Sequence, residues 1–189
     1  MSCHAGRALA AFGAVIALAG CAGTTIINHS YQQSYTPGEW HGYPLPVYVQ
    51  GTPFAVPHTE IVQTVTNAMQ GTTLGVATRF VPATRGTSPA YRVVMVFTPP
   101  PGLDGYALCA ARPEPPAAAF GTPPATRVEL LGALCRGDQA ISTADGTVPT
   151  AGGPDSATFQ DGISEFAMAL LPSRTNSKSS PPDTNRTKS

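Results

Sequence analysis

The chain has 189 residues, a length that suits one domain with flanking segments. Eleven Lys and Arg balance eleven Asp and Glu, and charged residues make up only 12% of the chain, so no basic surface is implied and nucleic acid is excluded as an expected partner. Arg far outnumbers Lys, and the only lysines, Lys178 and Lys188, sit in the C-terminal tail. With the abundant Ala, Gly and Pro, this bias fits a GC-rich coding sequence better than a binding function.

Residues 8–20, "ALAAFGAVIALAG", are apolar throughout and follow Arg7, the only charge before them. A membrane-spanning helix needs about 20 apolar residues, so this run is too short to span. A positive n-region, a short apolar h-region and a small-residue cleavage site form a secretory signal instead. The site itself reads Leu18-Ala19-Gly20-Cys21. It resembles the lipobox of bacterial lipoprotein precursors, and the resemblance covers the first 21 residues. It implies that residues 1–20 are a signal peptide removed by cleavage before Cys21. It also implies that the Cys21 thiol carries lipid (palmitate or similar acyl chains), which anchors the mature protein to a membrane. One acyl chain holds only marginally at about 0.8 kcal/mol per buried methylene, whereas the two or three of this class hold stably. The residue after the cysteine is Ala22, not the Asp that favours inner-membrane retention, so the implied location is the periplasmic face of the outer membrane, with the inner membrane as the alternative.

Residues 21–45 mix polar, aromatic, Gly and Pro residues with no clear period and read as a tether. Its aromatics (Tyr31, Tyr35, Trp40, Tyr43) are expected to dock on the domain; the alternative is a contact patch for a partner or glycan. "VYVQG" at 47–51 alternates and predicts a short strand ended by Gly51. In 57–71, Ile61, Val62, Val65, Ala68 and Met69 fall at helical spacing, with Pro57 suited to the start and Gly71 to the stop. "TRFV" at 78–81 predicts a strand. "YRVVMVF" at 91–97 is the most apolar run of the mature chain and predicts a central strand buried on both faces. Pro99, Pro100 and Pro101 end it, and "YALCAA" at 106–111 reads as a further strand.

Cys109 and Cys135 are the two cysteines left after Cys3 departs and Cys21 is lipidated. In an oxidising compartment the pair reads as a disulfide, with free thiols or a metal site as alternatives; no nearby histidine supports zinc, and no CxxC supports redox catalysis. Closing the proline-rich loop between them contributes about 3 to 3.5 kcal/mol on a chain-entropy estimate. "TRVELLGALC" at 126–135 predicts a longer strand, Arg136-Gly137-Asp138 a turn, "QAIST" at 139–143 the returning strand, and Asp145-Gly146 a second turn. In the last helix Phe159, Ile163, Phe166 and Leu170 form one apolar stripe. Asp155 or Ser156 can cap it, Pro172 ends it, and Gly162 marks close packing. Residues 173–189 lack the apolar surface to pack and read as a disordered polar tail, with a basic arm touching anionic envelope material as the sharper reading.

These elements assemble into a single α+β domain over 46–172: a mostly antiparallel sheet with two amphipathic helices on one face. The catalytic census is empty. There is no HExxH, GxSxG or phosphate loop; His58 sits at a helix start; Ser142 and Ser164 lack nucleophile motifs; Asp138, Asp145, Asp155 and Asp161 suit turn chemistry better than a calcium loop. The RGD tripeptide is ordinary turn chemistry. No catalytic, cofactor-binding or metal-ligating residue is assigned, and no cofactor is expected. Two functional readings remain: a non-catalytic lipid-anchored envelope protein that binds an envelope protein partner or assists assembly, and a small periplasmic enzyme or ligand-binding lipoprotein with a site formed by scattered residues. A deep pocket of convergent polar groups favours the second; an exposed apolar patch favours the first.

Overall fold

A computed structural model of the chain describes residues 23–31, 40, 43–73, 77–83, 89–110 and 126–171. Residues 1–20, expected to be a signal peptide, Cys21, and residues 173–189, expected to be a polar tail, lie outside the described residues. In chain order the elements are β1 (Thr25–Tyr31), β2 (Leu45–Gln50), α1 (His58–Ala68), β3 (Phe80–Pro82), β4 (Tyr91–Phe97), α2 (Ala107–Ala110), β5 (Arg127–Arg136), β6 (Gln139–Pro149) and α3 (Ala157–Leu170). The strands form one sheet in the order β1-β6-β5-β4-β2-β3. The β1–β6, β6–β5 and β5–β4 ladders are antiparallel, whereas β2 pairs in parallel with both β4 and β3. The parallel pairs arise because α1 carries the chain back before β3 begins, a crossover that a tight turn cannot make.

β4 is internal and buried on both faces, as its largely apolar run predicts. Val93, Met95 and Phe97 join a large core that also takes Ile61, Val65 and Met69 of α1 and the Phe159, Ile163, Phe166 and Leu170 stripe of α3. Val94 and Val96 point the other way, into a smaller cluster with Leu108, Cys109, Leu131, Ala133 and Cys135. Phe159 meets Phe54 edge-on at 4.9 Å between ring centroids, a geometry that aligns ring edge and face. α1 and α3 touch directly where the Ser164 hydroxyl donates to the Ala68 carbonyl at 2.7 Å. Ser156 caps α3 by accepting from the Phe159 backbone N–H. Gly162 is needed where α3 crosses the sheet: a Cβ there would lie 2.8 Å from Val148 Cγ1 and 2.9 Å from Thr24 Oγ1.

Three expectations are corrected. The stretch 21–45, expected to be a tether, contains the edge strand β1. Its period-2 pattern is hidden by a register shift between Ile26 and Asn28, which inserts Ile27 as an extra residue. The aromatic docking expected there occurs at Trp40, which is 3% exposed, packs near Tyr91 and donates Nε1–H to Thr78 Oγ1, but not at Tyr43, which is 74% exposed. Residues 107–110 are a one-turn helix, not a strand. Asp104 Oδ1 accepts the Ala107 N–H in the manner of a cap, and Leu108 and Cys109 are buried consecutively where a strand would alternate. Asp145-Gly146 makes no turn, since β6 runs straight through it. Gly146 instead lets β1 approach at its bulge, where a Cβ would collide with the Thr25 carbonyl.

Candidate functional site

The smaller cluster of the sheet, beneath α2, brings together a disulfide, a buried guanidinium and a chain of hydroxyls. Cys109 and Cys135 are joined in a disulfide, with their Cα atoms 5.5 Å apart, so the pairing expected from the sequence is present. It staples α2 to β5, and both cysteines are fully buried. Cys135 lies opposite Arg92 in the β4–β5 ladder. The Arg92 side chain is 7% exposed and donates from Nη2 to the Cys109 carbonyl at 2.7 Å, while its Nε has no hydrogen-bond partner. A buried guanidinium beside a disulfide is costly to leave short of acceptors, and it ties α2 to the sheet a second time. Sequence reasoning passed over Arg92. Its signal is the single charge inside "YRVVMVF".

Next to this staple runs a short hydroxyl chain. The Ser30 hydroxyl on β1 lies 2.9 Å from Thr143 Oγ1 on β6 and 2.9 Å from the Tyr106 phenol just before α2. Ser142 is buried and donates to the Ser30 carbonyl, so it is a structural serine with no base beside it. Tyr106 is 58% exposed and Ile27, on the β1 bulge, is 62% exposed. The Tyr106–Ser30 contact brings Tyr106 to β1, the edge strand that also carries Ile27. Among the described residues, β1 ladders only to β6.

The remaining candidates do not converge. His58 Nε2 lies 2.9 Å from the Val49 carbonyl at the start of α1. Ser164 is spent on the carbonyls of Ala68 and Gln160. Arg136-Gly137-Asp138 forms the β5–β6 hairpin, with Gly137 at φ 56°. Asp145 sits within β6, Asp155 before α3 and Asp161 on its exposed side. Among the described residues, no group of three or more His, Cys, Asp or Glu could hold a metal ion, and no helix is long and apolar enough to cross a membrane.

No protein-family model matches the chain, and no curated protein matches it. Among solved structures, it is similar to two crystal forms of the PelC dodecamer from Paraburkholderia phytofirmans. One, a substituted form, overlays with a TM-score of 0.44 at 13% identity, covering 78% of this chain and 98% of that one. The other gives 0.42 at 13% identity, covering 78% and 94%. A likeness of this depth says nothing about activity, partner or assembly.

Proposed function

We propose that this chain is a lipid-anchored cell-envelope protein, held through Cys21 at the periplasmic face of the outer membrane, and that it acts without covalent chemistry by binding an envelope protein partner. In this reading the amphipathic helices α1 and α3 cover one sheet face and make the domain a rigid platform. The observation that carries the partner-binding reading is the rim at β1. Ile27 and Tyr106 are two of the four large apolar side chains exposed among the described residues, and Tyr106 bonds Ser30 of β1, the edge strand that carries Ile27. Tyrosine is a frequent interface anchor, and a bulge on an edge strand re-aims a side chain while opposing continuous strand pairing. The contact is therefore made by side chains and not by an added strand.

The test is a photo-crosslinking residue placed at Ile27 in the native envelope, with the same residue at Met168, which is 43% exposed on α3, as control. A discrete protein adduct from position 27 and none from 168 is expected. Equal or absent adducts would remove the partner-binding reading. The anchor is tested separately by fatty-acid labelling, which Cys21→Ala should abolish.

A further inference from the structure

We infer that the end of the sheet at which β1 starts rests on the lipid bilayer; the inference rests on the lipid-anchor reading of Cys21. Gly23 is two residues beyond Cys21, and two peptide units reach at most about 8 Å. Gly23, Thr24 and Thr25 are fixed to the domain. The Arg127 guanidinium donates to the Gly23 carbonyl at 2.7 Å and to Thr25 Oγ1 at 3.1 Å. The Thr24 N–H donates to Glu165 Oε2, and the Thr24 hydroxyl donates to the Gly162 carbonyl. A lipid on Cys21 therefore cannot swing on a long leash; it holds this end of the domain within about a nanometre of the headgroups.

Register shows what else lies at that end. Thr25 pairs with Thr147, Arg127 with Pro149, Phe97 with Leu130 and Gln50 with Val96, so among the described residues three loops gather there: 51–57, 98–104 and 150–156. They read "GTPFAVP", "TPPPGLD" and "TAGGPDS". Their exposed residues include Ala55, Pro57, Pro100, Pro101, Ala151 and Gly152, all uncharged, and the only charges are Asp104 and Asp155 at the far ends of the second and third loops. The opposite end carries Arg136 and Asp138 on the β5–β6 hairpin. Pro, Gly and Ala at the exposed turns can enter the interfacial zone while the charges, Asp104 and Asp155, stay at the loop bases. With acidic groups and no Lys on these loops, the surface fits zwitterionic headgroups and gains nothing from anionic lipid.

The test uses the full lipoprotein in phosphatidylcholine vesicles, carrying one environment-sensitive dye at Ala151→Cys, Pro101→Cys or, as control, Asp138→Cys. Replacing the lipid with its brominated-chain form should quench the dyes at 151 and 101 about twofold or more and leave the dye at 138 nearly unchanged, given interfacial burial of about 5–10 Å. Adding anionic lipid should not deepen the quenching. Intact mass reports acylation of Cys21 on the same samples. A protein without the lipid would remove the anchor reading and this inference together. A lipidated protein quenched equally at 138, or quenched nowhere, would overturn the inference alone. So would protection of 151 and 101 in a dimer without bromine quenching, which would assign this end to a second copy.

Discussion

The two faces of the sheet are closed by different means. On the side of β4 that carries Val93, Met95 and Phe97, a large core takes in Phe159, Phe166, Ile61 and Met69, all fully buried. On the other, the cover is the one-turn α2, which contributes Leu108 and Cys109 and is held by the disulfide and by Arg92. Burying a large apolar side chain contributes about 1.5 to 3 kcal/mol, so the first face has enough area to hold itself. An isolated turn of helix is unstable in water, and two buried side chains do little to offset its ordering entropy. The small cover therefore needs a covalent tie where the large one needs none.

The contrast breaks most sharply at Phe166. Its ring packs over Gly132 of β5, where even a Cβ would lie 2.7 Å from Cε1, so the contact is close and the ring has no slack. Phe166→Ala should cost about 3 to 5 kcal/mol, a large part of a domain's whole stability. Chemical denaturation followed by circular dichroism would measure it. A loss below about 1 kcal/mol would show that the helix-covered face is not the principal core.

A middle-sized effect is expected at the staple. Reducing the Cys109–Cys135 disulfide should lower stability by about 2 to 4 kcal/mol. The same treatment should speed amide exchange in α2 well before it affects α3, because α2 loses its main tie while α3 keeps its stripe. Hydrogen exchange on oxidised and reduced protein reads both at once. Uniform loosening of α2 and α3 would refute the division into a self-sufficient face and a stapled one.

How much of this was legible depended on which physical signal an element relies on. α1, α3 and β4 bury long apolar sets, and their periodicity or length was plain in the residues. The disulfide was legible because Cys109 and Cys135 are the only two cysteines beyond residue 21. β1 was hidden for a definable reason: a bulge at Ile27 breaks the alternation, and one of its sides pairs with nothing among the described residues. α2 was misread because its fold depends on Asp104 and the disulfide, not on a pattern inside "YALCAA". The rim of Ile27, Tyr106 and Ser30 joins residues 76 positions apart, through a hydroxyl contact that no local spacing encodes.

The smallest effect, and the one that sharpens the comparison most, is at Tyr106. Its phenol bonds the Ser30 hydroxyl at an exposed site, where a hydrogen bond competes with water and its net contribution lies at or below about 1 kcal/mol. In the oxidised protein the disulfide already fixes α2, so Tyr106→Phe should move the thermal midpoint by no more than about two degrees. In the reduced protein the same bond, which ties the α2 segment to β1, is one of the few ties left to the sheet, together with the Arg92 bond from β4 to the Cys109 carbonyl. The substitution should then accelerate α2 amide exchange by a further factor of about 2 to 5, the equivalent of 0.4 to 1 kcal/mol. Exchange rates for the four combinations of residue and redox state form a cycle whose non-additivity is the measurement. Strict additivity would mean that the hydroxyl chain and the staple hold different things, and that α2 closes its face by the disulfide alone.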